Sequence, residues 1–317
     1  MGSIFSITPT RLGDTLFCTP AYRHIKQCFP EQSLEVVALT QRAADVVRNN
    51  PDIDLVHLVD APADLASVVP RVKRVVHLHH LALAEPFIEI LSGGGAPVDR
   101  VGPQDNSMHS AQQSVSFVAG RYGGEPDGQG YSLVPTPADI ERAVTLLPGP
   151  HPYVGLHLGC HGIGKRSSRF WRNNAHRKAW PLNRFVQAAS VLREALPDVQ
   201  FVLTGGGEEA RLAKSFERQV RHTVNLIDQT TVAEMAAIMA RLALLICNDT
   251  GPLHVACTTA VPIVALYGPT EVHRTHPYPE AAWRRVIVEP NLKRLDADRV
   301  VAEALIALGM NKGGAGG

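Results

Sequence analysis

The stretch YVGLHLG, residues 153–159, decides the fold, because it begins the second of two similar series of strands and helices. This apolar run ends in glycine, as a buried strand does before a turn. A helical pattern follows in NRFVQAASVLREAL (183–196), and another strand pattern in VQFVLTG (199–205). Strands that alternate with helices predict a parallel sheet covered on both faces.

The first half of the chain shows the same alternation. The predicted strands are SIFSIT (3–8), LEVVAL (34–39) and RVVHLH (74–79), and TPAYRHIKQCF (19–29) is a predicted helix. A proline-rich segment, residues 135–152, separates the two series and predicts a hinge.

We therefore predict an α/β protein with two Rossmann-like, doubly wound parallel-sheet domains that face each other across a cleft. The first covers residues 1–148 and the second covers 149–295. Residues 296–317 are predicted to form a helix that packs back toward the first domain, followed by a disordered tail. Ligands of such folds bind at the carboxyl ends of the strands, so we expect the functional residues there.

The composition is that of an ordinary globular protein, with 45% hydrophobic and 19% charged residues among 317. No apolar run reaches the roughly 20 residues of a membrane-spanning helix, and MGSIFSITPT lacks the pattern of a secretory signal. These features predict a cytoplasmic protein. The five cysteines are scattered without a C-x-x-C pair, which predicts neither a disulfide framework nor a zinc site.

Positive charge is concentrated in the second half of the chain. Residues 1–150 contain 11 Lys/Arg and 16 Asp/Glu, whereas residues 151–317 contain 20 and 14. Six cations and no acid occur in KRSSRFWRNNAHRK, residues 165–178. Such a run suits nucleic acid, a solvated loop or a pocket for a small polyanion. Because the charge is local and the whole chain has a pI of only about 7.8, we expect no nucleic-acid partner.

The segment GCHGIGKR, residues 159–166, resembles the phosphate-binding loop of nucleoside triphosphatases. In such a loop, a Ser or Thr after the lysine binds the magnesium ion. Arg166 stands there instead and cannot coordinate a cation. We therefore disfavour a triphosphatase, although the segment follows a strand and can still contact a ligand.

A stronger phosphate-binding candidate is CNDTGPLHVA, residues 247–256. A buried strand is predicted to end here, Asp249 and Thr250 are good helix caps, and Gly251 lets a ligand approach the backbone. The free N–H groups of the helix start would stabilise a diphosphate. The alternative is an ordinary capped helix. His254, in the first turn, is predicted either to donate to the same phosphates or to pack against the helix.

Two further segments carry candidate ligand-binding charges. Lys178 precedes a Trp-Pro pair that opens a helix, so its ammonium group can bind phosphate; otherwise it is a surface lysine beside a core tryptophan. Glu208, in TGGGEE (204–209), can accept hydrogen bonds from ribose hydroxyls, or it is simply an acid in the first turn of a helix.

The candidate base lies in TPTRLGDTLFCTPA, residues 8–21. Here we expect a strand to end, Gly13 to turn the chain and Asp14 to begin a helix. A carboxylate at that place can act as a general base toward a substrate hydroxyl. The alternative role for Asp14 is an N-cap.

Four motifs together resemble glycosyltransferase family 9, the lipopolysaccharide heptosyltransferases. They are RLGDTLFCTPAYRHIKQCFP, KAWP, LTGGGEE and NDTGPLHVACTTAVPIVALYGPT, in that order between about Thr8 and Tyr278. The resemblance implies a GT-B architecture, with the acceptor bound by the N-terminal domain and the nucleotide sugar by the C-terminal one. It also implies transfer of heptose from ADP-heptose to the lipopolysaccharide inner core or a related glycan, with inversion at the anomeric carbon.

The resemblance implies a role for each matched residue. Asp14 is the implied catalytic base. The implied donor-binding residues are Lys178, Glu208, Asp249, Thr250, Gly251 and His254, with Asn173 and Asn174 where family members carry small hydroxylated residues. The implied acceptor-binding residues are Arg11, Gly13, His79 and His80. The two histidines lie in VVHLHHLALAEPF (75–87), which replaces a more polar family segment.

No D-x-D-like cluster stands where it would hold a metal on the phosphates, so we predict neither a metal nor another cofactor. An amphiphilic acceptor implies contact with the cytoplasmic face of the inner membrane. Three alternatives stay open: a related enzyme that uses another nucleotide sugar, a non-catalytic nucleotide-sugar or glycan-binding protein, and a nucleotide-sugar epimerase that needs no acceptor.

Overall fold

A computed structural model of the chain describes residues 2–160, 163 and 177–310. It divides between Thr136 and Pro137 into two compact units. Each unit contains one parallel β-sheet with helices, so the prediction of two doubly wound α/β domains is confirmed. The two units are described separately below.

The first unit contains a five-stranded sheet in the order β3-β2-β1-β4-β5, with every neighbouring pair parallel. Its strands are β1 (Ser3–Ile7), β2 (Ser33–Ala38), β3 (Leu55–Leu58), β4 (Val72–His77) and β5 (Val98–Arg100). Its helices are α1 (Leu12–Cys28), α2 (Gln41–Val47), α3 (Glu85–Ser92) and α4 (Ser110–Tyr122).

Helix α1 begins at Leu12, two residues before Asp14, where the sequence predicted a helix to begin, and it runs through Pro20 to Cys28 without a break. Pro20 has no N–H to donate to the carbonyl of Leu16. The hydroxyl of Thr19 donates to that carbonyl instead, at 2.8 Å. The helix therefore runs unbroken from the end of β1, which places Asp14 in its first turn.

The second unit contains a six-stranded parallel sheet in the order β11-β10-β9-β6-β7-β8. Its strands are β6 (Tyr153–His157), β7 (Gln200–Leu203), β8 (Thr223–Asn225), β9 (Leu244–Asn248), β10 (Ile263–Tyr267) and β11 (Arg284–Val288). Its helices are α5 (Pro137–Leu146), α6 (Leu182–Ala195), α7 (Ala210–Glu217), α8 (Val232–Met239), α9 (Gly251–Ala256), α10 (Val272–Thr275) and α11 (Ala297–Ala307).

The domain limits differ from the prediction at both ends of this unit. Helix α5 belongs to the second unit, where it packs against α8, and Arg241 donates to the carbonyl of Leu147 at 2.8 Å. The last helix, α11, was expected to pack back toward the first domain. Its apolar residues, including Val300 and Ala304, are part of the core of the second unit beside α6 and β10, and its packing toward the first domain stays a prediction.

Trp180 anchors the segment that precedes α6. Its side chain is buried in the core of the second unit, in edge contact with the ring of Phe185 at 4.7 Å between centroids. The indole N–H donates to the carbonyl of Leu295 at 2.9 Å, so the polar group of the ring is also satisfied. This anchor fixes the chain two residues after Lys178.

Candidate functional site

In the second unit, the predicted donor-binding residues lie at the point where the strand order reverses. Strands β6 and β9 are hydrogen-bonded neighbours, yet β6 is followed in the chain by β7 on one side, and β9 by β10 on the other. The strand order therefore reverses between β6 and β9, and the connecting loops at such a point leave a crevice in open α/β sheets. Open α/β sheets bind their ligands in the crevice that such loops leave.

The loop after β9 leads directly into helix α9. Thr250 is the N-cap residue by backbone conformation, but its hydroxyl donates back to the carbonyl of Asn248 at 3.2 Å and does not cap the helix. Asp249 and Gly251 are both half-buried. Helix α9 has only six residues, so it has no long helix dipole. An anion at this place would be bound by the N–H groups of its first turn.

Three donor-binding candidates, Lys178, Glu208 and Asp249, lie on segments that meet beside Cys160. Asn248 accepts from the N–H of Trp180 and donates to the carbonyl of Gly159, and Glu209 packs on Gly159. Burial is the main reason that the pKa of Cys160 is raised to about 11. The positive charge of Lys178 opposes this increase, whereas the negative charges of Glu208, Glu209 and Asp249 add to it. These charge effects agree with the hydrogen bonds and the packing that bring the four segments together at the end of β6.

The glycine run after β7 is fixed by Glu209, a residue that the sequence analysis did not single out. Its carboxylate is buried and accepts from the N–H of Gly206 at 3.0 Å, while a Cβ atom on Gly159 would lie 2.3 Å from its Oε1. Burial raises the pKa of this carboxyl group. Glu209 is thus engaged inside the protein, and the half-buried Glu208 is the better placed of the two to meet a ligand.

His254 is buried in the first turns of α9. Burial, and then the nearby His276, lower the pKa of His254 to about 3. The side chain is therefore neutral at physiological pH and cannot supply a positive charge to a phosphate. This environment favours the packing role that the sequence left open as the alternative.

In the first unit, Asp14 also lies at a point where the strand order reverses. Strands β1 and β4 are neighbours, and the chain leaves β1 toward β2 on the other side. Arg11 is the N-cap residue of α1, Gly13 is buried in the first turn, and Asp14 is exposed as the third residue of the helix. Asp14 is therefore not the N-cap. The first turn of a helix is a favourable place for a carboxylate charge.

The histidines after β4 are held by the backbone. His79 donates from Nε2 to the carbonyl of Ile7 at 2.9 Å and accepts at Nδ1 from the N–H of Leu81 at 3.1 Å. Burial lowers its pKa to about 4. His80 is exposed and donates to the carbonyl of Gly102 at 2.6 Å. Because both ring nitrogens of His79 are used, its geometry favours a role in holding the two loops over one in binding sugar.

Some predictions stay untested. Asn173 and Asn174 lie outside the described residues, as does most of the basic run that contains them. Within residues 2–160, 163 and 177–310, no three His, Cys, Asp or Glu side chains come together as a metal site would require. The absence of a metal and of any cofactor from the reaction stays a prediction.

In the same described part of the chain, no helix has the length and apolar character needed to cross a membrane.

A surface depression of about 720 Å³ lies elsewhere on the second unit, beside the edge strand β11. Its walls include Val272, His276, Glu280 and Arg285. None of the predicted donor-binding residues lines it, so we assign it no part in donor binding.

The two parallel-sheet α/β units have the fold of the GT-B glycosyltransferases. Residues 170–299 match the family model described as glycosyltransferase family 9 (heptosyltransferase). The resemblance to glycosyltransferase family 9 that the sequence motifs indicated is therefore confirmed.

Curated relatives that are named heptosyltransferases match part of this chain. The chain is 34% identical over 160 residues to lipooligosaccharide heptosyltransferase 2 of Haemophilus influenzae, which covers 48% of this chain and 41% of that protein. It is 24% identical over 102 residues to the lipopolysaccharide core heptosyltransferase OpsX of the same organism, covering 32% of this chain and 29% of the relative. The matched segment thus spans less than half the length of these relatives.

Solved structures match the fold over nearly the whole chain. The Escherichia coli ADP-heptose lipopolysaccharide heptosyltransferase II has a TM-score of 0.78 at 16% identity, with 96% of this chain and 98% of that one covered. A glycosyltransferase family 9 protein from Veillonella parvula has a TM-score of 0.79 at 20% identity, with 97% of each chain covered. At these identities the likeness shows the fold, and the GT-B prediction is confirmed.

The burial of His254 predicts a pH dependence of stability. In the unfolded chain this histidine takes up a proton near its ordinary pKa of 6.5, whereas in the folded protein it stays neutral down to about pH 3. The contribution of His254 to the free energy of unfolding is therefore fully present above pH 6.5. It decreases as the pH falls below 6.5, by up to about 1.4 kcal/mol per pH unit. We expect His254→Asn to reduce the slope of the unfolding free energy between pH 6.5 and 4 by about one proton.

Urea unfolding at several pH values, followed by tryptophan fluorescence, measures this slope in the second unit, which contains all three tryptophans. The control is His151→Asn, which changes an exposed histidine of the same unit and should leave the slope as in the wild type. An unchanged slope in the His254 variant would show that His254 is not buried as a neutral group.

Proposed function

We propose that the protein is an inverting glycosyltransferase that transfers a heptose from ADP-heptose to a lipopolysaccharide inner-core or related glycan acceptor. In this proposal Asp14 is the general base, the second unit binds the nucleotide sugar, and neither a metal nor another cofactor takes part. The observation that carries the proposal is that the segments of Lys178, Glu208 and Asp249 are joined at the strand-order reversal of the second sheet, by the hydrogen bonds of Asn248 and the packing of Glu209 on Gly159.

The leaving group of such a reaction is a nucleoside diphosphate, whose negative charge grows as the bond to the sugar breaks. Stabilisation of this charge in the transition state lowers the barrier. Lys178 supplies one positive charge, and the N–H groups at the start of α9, near Gly251, supply hydrogen-bond donors. His254 adds no charge because it is neutral. The half-buried Glu208 is suited to accept hydrogen bonds from the ribose hydroxyls.

The attacking group is a hydroxyl of the acceptor, which must lose its proton as the new bond forms. Asp14 is exposed in the first turn of α1, at the strand-order reversal of the first sheet. A carboxylate there can accept that proton while the hydroxyl oxygen attacks the anomeric carbon from the face opposite the diphosphate. One displacement of this kind inverts the anomeric configuration.

The names of relatives support the donor and the acceptor class. One of the solved neighbours is the E. coli heptosyltransferase WaaC with ADP-2-deoxy-2-fluoro heptose, and the curated relatives are heptosyltransferases of lipooligosaccharide or lipopolysaccharide core. We extend ADP-heptose and a core glycan to this chain on that basis. Since such an acceptor is amphiphilic, the proposal includes a cytoplasmic location with peripheral contact at the inner membrane.

The donor assignment is tested by thermal shift with ADP-, UDP-, GDP- and CMP-sugars. A matched donor at 100 times its dissociation constant should add about 2.7 kcal/mol of stability, whereas unmatched nucleotides should add little. We expect the ADP-sugar to stabilise the protein most, and its binding to be weakened about 10- to 150-fold by Lys178→Ala, which removes a charged hydrogen bond worth about 1.5–3 kcal/mol.

The control for this substitution is Lys214→Ala, which removes an exposed lysine from α7 in the same unit and should leave donor binding unchanged. Equal binding of the ADP-sugar by the wild type and the Lys178 variant would refute the role of the lysine. If a different nucleotide sugar stabilises the protein most, the proposed donor is wrong, but the proposal of a glycosyltransferase stands.

The role of the base is tested by Asp14→Asn. The amide keeps the shape of the side chain but cannot accept the proton, so turnover should fall about 100-fold or more while donor affinity stays close to that of the wild type. Steady-state kinetics and donor titration measure the two quantities. Asp298→Asn is the matched control, because Asp298 is likewise an exposed acid in the first turn of a helix.

Two outcomes count against this assignment. Near wild-type turnover in the Asp14 variant means that another group is the base. Donor binding by the wild type without transfer to any glycan acceptor points to a non-catalytic binding protein, and consumption of donor in acceptor-free buffer points to an epimerase.

A further inference from the structure

We propose that Asn248 and Gly268 are positioning residues that fix the backbone of Lys178 at the donor site. This inference rests on the proposed function, in which Lys178 binds the diphosphate of the donor. Neither residue is expected to contact the donor, and each acts through the segment 177–180.

Asn248 links three segments of the second unit. It is fully buried at the end of β9, where its Oδ1 accepts from the N–H of Trp180 at 3.0 Å and its Nδ2 donates to the carbonyl of Gly159 at 2.8 Å. The chemistry fixes the orientation of the amide, because the reverse orientation would place an N–H against an N–H and a carbonyl against a carbonyl. Replacement of either end leaves a buried polar group unsatisfied.

The hydrogen bond to Trp180 reaches Lys178 through a short and rigid connection. Only Ala179 stands between the two residues, and the Trp180 ring is itself locked in the core by its contact with Phe185 and its bond to Leu295. The backbone after Lys178 therefore has little freedom to move independently of β9.

Gly268 holds the same segment from the other side. It follows the last residue of β10, and a Cβ atom added to it would lie 2.6 Å from the carbonyl oxygen of Arg177 and 3.1 Å from the Cα of Lys178. The first distance is shorter than real Cβ contacts allow, and the atom in the way is backbone, which cannot rotate aside. The backbone of residues 177–178 thus packs directly on Gly268, which only glycine permits.

The two contacts tie Lys178 to adjacent strands of one sheet. Strands β9 and β10 are hydrogen-bonded neighbours, and Asn248 and Gly268 lie at their carboxyl ends. The loop that starts with Asp249 leaves the same edge. A lysine side chain is flexible, so its charge is held at a ligand only where its backbone is fixed, and a displacement of about 1 Å at such a group can cost about 100-fold.

The test measures ADP binding by calorimetry at a temperature where thermal unfolding shows every variant to be folded. Asn248→Asp keeps an oxygen for the Trp180 N–H but turns a second oxygen toward the Gly159 carbonyl, and Gly268→Ala displaces the backbone of residues 177–178. We expect each to raise the dissociation constant of ADP about 10- to 100-fold. If Asn248→Asp does not fold, Asn248→Ser and Gly268→Ala carry the test.

Matched controls separate positioning from loss of stability. Asn50→Asp changes a buried asparagine of the first unit, and Gly155→Ala crowds a buried glycine in β6, where the added Cβ would lie 2.4 Å from Leu242. Both should destabilise the protein and leave the ADP dissociation constant within about twofold of the wild type, since neither touches the segment of Lys178.

A double-mutant cycle shows whether the effect passes through the lysine. In a Lys178→Ala background, Asn248→Asp and Gly268→Ala should weaken ADP binding by less than about threefold, because the group that they position is absent. A second readout needs no ligand. When Trp171→Phe and Trp283→Phe leave Trp180 as the single tryptophan, its fluorescence emission should shift in Asn248→Asp, because the hydrogen bond between Asn248 and the Trp180 backbone is disturbed.

The outcomes are distinct. Wild-type ADP affinity in both variants, or a full effect that persists without Lys178, overturns the inference and leaves the proposed function standing. Failure of the wild-type protein to bind ADP overturns the proposed function, and the inference with it.

Discussion

The site of the second unit depends on one constraint: two parallel strands, β6 and β9, end side by side, while the strands that follow them in the chain, β7 and β10, lie on opposite sides of this pair. This constraint opens a crevice at the edge of the sheet and brings residues distant in sequence to it. Cys160, Glu208 and Asp249 are there because each follows a strand of this sheet, and Lys178 is there because the segment before α6 is attached to the same strand ends. Charge placed at that edge is held by the sheet and not by flexible loops alone.

Buried polar groups do much of this attachment. The amide of Asn248 joins β9 to the Trp180 segment and to the residue after β6, and the carboxylate of Glu209 joins the glycine run to Gly159. Each such group is costly to bury alone and favourable once its partners are in place, so it selects one arrangement of the loops. The first unit has a counterpart in His79, which joins the end of β1 to the loop after β4.

The sequence predicted the layers of the fold well, because buried parallel strands are continuous apolar runs and the helices between them are amphipathic. It missed the edge strands β5, β8 and β11. Strands β5 and β8 have only three residues each, and β11 begins with two arginines and has a single buried residue, so none of them shows the apolar run of a buried strand. The sequence placed the start of α1 at Asp14, two residues after the observed start at Leu12, but the bond from Thr19 that compensates for Pro20 is visible only in three dimensions. The observed division lies within the predicted hinge, 135–152, but the domain limit was predicted too late, after residue 148, because α5 packs with the second unit.

For the site, motif and strand-end position together selected Lys178, Glu208, Asp249 and Asp14. Burial could not be read from the motif, so the sequence did not show that the environment of His254 keeps its side chain neutral. Asn248 and Glu209 were not selected either. The position of Asn248, a polar residue at the end of the apolar run LLICN, could have indicated a special role. Its hydrogen-bond partners, however, lie 68 and 89 residues away in the sequence.

The central claim is that the nucleotide diphosphate of the donor binds at the strand-order reversal of the second sheet. A crystal structure of the protein with bound ADP tests it most directly. We predict a diphosphate oxygen within about 3 Å of the Lys178 ammonium nitrogen, and another within about 3 Å of a backbone nitrogen at the start of α9. ADP bound in the depression beside β11, or against the first unit, with Lys178 turned away from it, would contradict the claim.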